Sequence, residues 1–364
     1  MRILKYLLLL VLLLLIGTAV FVATQKGAFG VRQTRVVRAS RASAFAYVND
    51  FRNWPAWFSP ADKPHFPAVT SGRGGSFSWD GDQGEGSLRT NFAKENDSLA
   101  QTADWGGFPG HVSWKFRDKG LNQTEITVTA SGKFGFGQKI RSTLSGGPQE
   151  KMATIFENGM ENLDRHLIKE TGTYKIEVAG EVVKTGAYYL RQSITSTIAE
   201  MPRNQRIMRS NLTYFFTKNN LRLYGKPFVL YDFYDPAHKL TRFSFGMPIR
   251  QQAFTMPGSD ISSGRLEPFR AVKVTLTGDY SHLAEAYAKA DAFIRDNHLH
   301  KSGTAALEWY RVGKENGKSP SQWVTDVYIP VGTPIVAVAK ARPAPRPQQP
   351  PQPSQPETEE ISIP

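Results

Sequence analysis

Cysteine is absent from this 364-residue chain. Its absence excludes disulfides, thiolate metal sites and cysteine nucleophiles together, and fits either side of a bacterial membrane. Histidine is sparse, and the one close pair, His298 and His300, follows a predicted helix into a loop, so no metal site is expected. There is no G-x-S-x-G elbow, no H-E-x-x-H, no phosphate-binding loop and no dinucleotide fingerprint, and no cofactor is expected. The formal charge of +13 invites a nucleic-acid reading. Against it, the sequence shows no helix-turn-helix, no paired metal ligands and no dense Lys/Arg helix, only scattered cations. Nucleic acid is therefore not expected as a partner; anionic lipid headgroups suit scattered cations better, at about 1 kcal/mol per nearby charge.

What the chain does have, at its start, is an unbroken apolar run from Tyr6 to Ala23, preceded only by Arg2, Lys5 and the amino terminus. That length crosses a bilayer core of roughly 30 Å at about 1.5 Å per helical residue. A cleaved signal peptide is the alternative, but Gly17-Thr18-Ala19 lies inside the run, with Val20, Phe21 and Val22 still to come. The reading is an uncleaved anchor over residues 1–25. Cations flank both ends, Arg2 and Lys5 before it and Lys26, Arg32, Arg35, Arg38 and Arg41 after it, so charge alone leaves orientation open. Large domains translocate largely regardless of charge, which favours a single-pass protein of a bacterial inner membrane with its body in the periplasm. At the other end, residues 341–364 are rich in Pro and Gln and read as a disordered tail.

About 300 residues lie between, enough for two domains. The first begins with a strand from Val31 to Arg38, and Ser40-Arg41-Ala42-Ser43 then marks a helix N-terminus. The helix breaks before Asn53-Trp54-Pro55-Ala56-Trp57. Alternating segments follow: Phe77 and Trp79 between serines, Val112, Trp114 and Phe116 between polar residues, Ile126, Val128 and Ala130 between threonines. Period-two patterning with Gly- or Asn/Asp-rich gaps predicts antiparallel strands with one apolar face, and Gly72–Gly75 and Gly132–Gly137 read as hairpin turns. A closing helix from Pro148 to Lys169 carries Met152, Ile155, Phe156, Met160, Leu163 and Leu167 on one face.

That order, with Arg38-Ala39-Ser40, Asp50 to Trp57 and Gly74 to Trp79, resembles the START/polyketide-cyclase (SRPBCC) superfamily over residues 31–170. The resemblance implies a helix-grip fold: a curved sheet around a long helix, with an apolar cavity for lipids or other hydrophobic molecules. Trp79, Trp105, Trp114 and Phe156 are the candidates to line it, and the competing reading is that they fill the core. The superfamily has no shared catalytic residue to carry over.

The second unit, residues 172–332, reads as an internal repeat. A strand (Tyr174 to Lys184) runs into Gly186-Ala187-Tyr188, a helical region to Thr217 and a hairpin of Pro227–Tyr234 with Thr241–Pro248. The order recurs as Arg270–Thr277, Gly278-Asp279-Tyr280, a helix to Asn297 and a hairpin ending at Ile329-Pro330-Val331. Halves of this kind bury their sheet only by pairing, leaving a cleft at their junction. The arrangement, with Thr304–Tyr310 and Trp323–Val331, resembles the GyrI-like effector-binding domain also attached to AraC- and MerR-type regulators. The overall expectation is an α+β chain: a transmembrane helix, a START-like domain and a duplicated SHS2-type GyrI-like domain.

Glu308 is the acidic residue inside an otherwise apolar strand, and burying it demands a partner or a task. The GyrI-like resemblance places it as the polar anchor of the ligand cleft, with Tyr310 and Tyr188 as aromatic walls and Asp326 as a further ligand contact. Phe243, Phe245 and Met247 alternate on the matching strand in the first half, one face of which, whichever it proves to be, is read as core. The leading functional expectation is noncatalytic: a membrane-anchored protein that binds lipophilic or cationic amphipathic small molecules for sensing, sequestration or transfer. The alternatives are a hydrolase of reactive small molecules with Glu308 as general base, and a lipid-handling envelope protein.

Overall fold

The computed structural model describes residues 2–332, apart from 25–26, 82–83, 121, 146–147, 257, 303–305 and 314–318. The expected tail (341–364) and Thr304-Ala305 of the GyrI-like motif lie outside the described residues. Helix α1 (Arg2–Thr24) is long and apolar enough to cross a membrane, with a mean hydropathy of 2.9 over Ile3–Thr24. A membrane anchor and a signal sequence both fit that description.

The first sheet has seven strands, β1 (Ala28–Val37), β2 (Pro64–His65), β3 (Ser76–Gly81), β4 (Gly84–Lys94), β5 (Ser98–Asp104), β6 (Pro109–Gly120) and β7 (Gln123–Lys133). They run antiparallel in the order β1-β7-β6-β5-β4-β3-β2. Helix α2 (Arg41–Asn49) follows β1 and is capped by Ser40, whose hydroxyl accepts from the Ser43 amide at 3.2 Å. After β7 come α3 (Phe136–Ser145) and the long α4 (Pro148–Gly172). All six apolar residues predicted for one face of α4 are buried against the sheet. Gly132 lies within β7 rather than in a turn, and a Cβ there would collide with the Phe29 ring. Gly135 precedes α3 and Gly137 lies in its first turn, rather than in a hairpin.

A two-residue connection, Thr173-Tyr174, links α4 to the second sheet. Its elements are β8 (Lys175–Lys184), β9 (Ala187–Thr197), α5 (Met201–Lys218), β10 (Phe228–Asp235) and β11 (Leu240–Ile249). They continue with β12 (Ser262–Leu266), β13 (Phe269–Thr277), α6 (Leu283–Asp296), β14 (Ala306–Val312) and β15 (Val324–Pro330). The sheet order is β12-β9-β11-β10-β14-β15-β13-β8. A β-α-β-β series thus occurs twice, from β9 and from β13, with β10 against β14 at the centre. The strand leading each series crosses over to the other: β8 pairs with β13 and β12 with β9.

The sequence reading set Gly186-Ala187-Tyr188 at a helix start; it is instead the entry to strand β9, and the helix begins at Met201. Gly278-Asp279-Tyr280 does lead from strand to helix, so the two Gly-x-Tyr motifs are not equivalent. Helix α5 packs on β9 and β11, and α6 on β13, β8 and β15. The two helices concentrate on the strands flanking the centre, and the trough between them, over β10 and β14, positions the site.

Candidate functional site

Glu308 lies on β14 between Val229 of β10 and Val327 of β15, its direct cross-strand partners, and so points into the trough. Its side chain is among the buried charges, at 3 % exposure. Hydroxyls rather than a cation surround it. Tyr310, two residues on along β14, donates to Oε2 at 2.7 Å, and Tyr287 reaches from α6 to donate to Oε1 at 3.0 Å. Tyr231 on β10 brings a third hydroxyl near the carboxylate, and this one donates to Met201 Sδ at 3.8 Å. Burial pushes the Glu308 carboxyl above the usual carboxylate range, and the three hydroxyls offset this only in part. The same burial, reinforced by the carboxylate, raises Tyr231, Tyr287 and Tyr310 well above the ordinary phenol value.

Above this floor is a cavity of about 380 Å³ whose walls come from both domains. Tyr231, Phe245, Glu308 and Tyr310 belong to the sheet; Met201 and Arg206 come from α5, Tyr280 from the 3-10 turn before α6 and Leu283 from the start of α6. The START-like side supplies Ser40, Arg41 and Ala42 at the head of α2, the β4–β5 turn with Glu95 and Asn96, and the β6–β7 turn with Asp118 and Asn122. Hydrogen bonds fasten this roof. Arg206 Nη1 donates to the Glu95 carbonyl at 2.8 Å. Asp279 caps the turn before α6 with one oxygen, accepting from the Ser281 amide at 2.9 Å, while its other oxygen accepts from Ser43 Oγ across the interface. Further along, His282 Nε2 donates to the Thr171 carbonyl at 2.7 Å and Ser321 Oγ to Glu170 at 2.6 Å. Asn96 is buried, lines the cavity, and leaves its Oδ1 without a hydrogen-bond partner.

Residues 28–167 match the family described as polyketide cyclase / dehydrase and lipid transport, and residues 201–332 match the GyrI-like small molecule binding domain. The two matches fall in the expected order. Among curated proteins none matches it. Among solved structures, the EcmrR–DNA complex seen by cryo-EM is 16 % identical over 54 % of this chain and 69 % of that one, with a TM-score of 0.39. The crystal structure of the EcmrR C-terminal domain is 18 % identical over 44 % and 98 %, at 0.35. A START superfamily protein from Mycobacterium smegmatis is 14 % identical over 38 % and 97 %, at 0.31. All three are distant.

Within the GyrI-like domain the structure brings together only part of the expected set. Glu308 and Tyr310 share the cavity. Tyr188 faces the same layer but lies three strands away on β9, paired with Ile249 and packed under the Arg265 guanidinium, whose carbon lies 5.7 Å from the ring centroid. Asp326 pairs with Trp309 across β14 and β15 and therefore points to the opposite face. There it takes Lys273 and Arg311, each at 3.1 Å, and accepts from Thr275 Oγ1 at 2.7 Å. That is a closed ion network, which explains why this acid is buried far from the cavity. Two tyrosines that sequence reasoning missed, Tyr231 and Tyr287, complete the cage. A signal for Tyr287 existed: Leu283, Tyr287, Ala290 and Ile294 recur at spacings of four, three and four, which puts Tyr287 on the sheet-facing stripe of α6.

In the polyketide-cyclase-like domain, Trp79, Trp114 and Phe156 are all buried in one aromatic cluster. Trp54, Trp57 and Phe58 pack among them, carried in by the short 3-10 helix Phe51–Ala56 and the turn after it. Ring centroids are 5.8 Å apart for Trp54–Trp114, 5.6 Å for Phe58–Trp79 and 6.3 Å for Phe58–Phe156. Trp105 joins the same cluster.

Proposed function

We propose that this is a membrane-anchored receptor for a small molecule, held in the cavity between its two domains with Glu308 as polar anchor. One observation carries this reading: a buried carboxylate at the floor of an open cavity, whose hydrogen-bond partners among the described residues are hydroxyls. Such a group is costly to keep for structure alone and is suited to an ammonium or other hydrogen-bond donor on a ligand. The orphaned Asn96 amide on the roof offers a second polar contact. Shared walls also give the ligand a means of acting on how the two domains meet, which suits sensing better than catalysis.

The test is native mass spectrometry of the full chain with whatever it retains. Wild type is expected to carry a bound small molecule that Ala42→Trp, which fills the cavity from its roof, expels without changing the circular dichroism spectrum. A wild-type chain that carries nothing, or a Trp variant that keeps the same mass, would sink the reading.

The anchor has its own support. Helix α3 packs beside α1, and Lys139 Nζ from α3 donates to the Ala23 carbonyl at 3.0 Å, in the last turn of α1. Phe136 and Ile140, one turn apart on α3, are 52 % and 39 % exposed at this level. If α1 spans a bilayer, those side chains lie at its surface. Because the chain lacks cysteine, Ile140→Cys can be labelled uniquely with an environment-sensitive fluorophore. In anionic-lipid nanodiscs the label is expected to emit from an apolar environment, and the same label at exposed Tyr214 on α5 from water. Identical aqueous emission at both sites would refute this seating of α3.

A further inference from the structure

The cavity floor is acidic, but its upper walls are strongly basic. Arg41 enters from the START-like side, and Arg203, Arg206 and Arg209 from successive turns of α5. Among the described residues lining the upper walls, Glu95 and Asp118 are the carboxylates set against these four cations, and Asp97 acts on Arg41 from outside the lining. Helix ends add to the imbalance. The first residues of α2, α5 and α6 all line the space, so three positive helix poles converge on it. No side chain caps the start of α5, where Glu200 makes no cap hydrogen bond and Pro202 occupies the first turn. A ligand bearing only positive charge would have to pass and lodge beneath this field to reach Glu308.

Resting on the reading of Glu308 as anchor, we infer that the ligand is bipolar: an amine or hydroxyl that meets Glu308, joined to a phosphate or carboxylate held by the arginine vestibule. Guanidinium groups are matched to both oxyanions by their paired N–H donors. An ammonium alone satisfies the floor and is opposed by the walls. An anion alone satisfies the walls and leaves Glu308 unanswered. The bipolar molecule satisfies both, and the same chemistry occurs in free amino phosphates and in phosphoethanolamine headgroups.

Calorimetry on the full chain in phosphatidylcholine nanodiscs tests this with four probes: hexylammonium, hexyl phosphate, 6-aminohexyl phosphate and lysophosphatidylethanolamine. The expected order places 6-aminohexyl phosphate about tenfold tighter than hexyl phosphate, with hexylammonium weakest. Arg41→Gln with Arg203→Gln removes one cation from each domain and should weaken both soluble phosphates at least tenfold while leaving hexylammonium unchanged or improved. Glu308→Gln should erase only the advantage of the amino group. Tight binding of the lysolipid would place the source in a lipid headgroup, and its failure beside a tight soluble probe would place it in a free metabolite; both uphold the bipolar assignment. Should hexylammonium match or exceed the phosphates and depend on Glu308, the anchor stands and the anionic half of the inference falls. Phosphate affinities unmoved by the double arginine variant would also overturn it, and binding of no probe at all would count against anchor and vestibule together.

Discussion

Trp54→Ala is expected to unfold the polyketide-cyclase-like domain at about 10 °C or more below wild type. Trp54 is wholly buried, and its Nε1 donates to the Val48 carbonyl at 2.8 Å. Five rings surround it: Phe51, Trp57, Phe58, Phe77 and Trp114, with centroids between 4.7 and 5.8 Å. Truncating a buried tryptophan costs about 3–5 kcal/mol, and the orphaned carbonyl adds roughly 1 kcal/mol more. For a domain of this size each kcal/mol corresponds to about 2–4 °C. Trp54→Phe, which keeps a ring in the cluster, should lose markedly less. The experiment also decides between the two sequence-based readings of these aromatics. A ring that merely lines an empty ligand pocket supports little, so a shift under about 2 °C would mean that the interior is held open in solution. The indole N–H groups of Trp57 and Trp105, buried without partners, would then be the natural contacts for a polar group inside it.

Local patterns were the legible part of this chain. Ser40 caps α2 as its place before Arg41-Ala42-Ser43 suggests, and the stripe on α4 is buried residue for residue. Phe243, Phe245 and Met247 are buried together on the helix-covered side of β11, as their alternation implies. What failed depended on information that alternation does not hold. Asp326 was expected beside Glu308, but its face is set by the register of β15 against β14. That register carries an irregularity between Tyr310 and Val312. Gly186-Ala187-Tyr188 resembled Gly278-Asp279-Tyr280 in composition, yet only the second has an Asp to cap the turn that starts a helix. The aromatic cluster was hidden because Trp54 and Trp57 sit in a Pro-containing 3-10 segment, which has neither a two-residue nor a 3.6-residue period. Least legible of all was the roof. Its hydrogen bond from Ser43 to Asp279 joins residues 236 apart, and each half of the cavity wall reads by itself as ordinary helix starts and hairpin turns.

Glu308→Gln should make the protein more stable at neutral pH and less able to hold its ligand. In the folded chain, burial holds the Glu308 carboxyl above its unfolded value of about 4.3. The folded state therefore binds the proton more tightly than the unfolded state does. The stability this contributes is complete below pH 4 and is lost as pH rises through the folded value. At pH 7 wild type thus either ionises a buried carboxyl or keeps it protonated against the solution, whereas glutamine does neither. The variant should therefore melt higher than wild type at pH 7. That gain should shrink toward zero by pH 4. A side chain whose removal stabilises the fold is retained for another reason, and loss of the retained ligand in the same variant would identify it. Retained affinity with abolished turnover of a reactive substrate would instead make Glu308 a catalytic base. A variant that melts lower by the same amount at both pH values would show the carboxylate to be a structural hub for Tyr231, Tyr287 and Tyr310, and the receptor reading would lose its anchor.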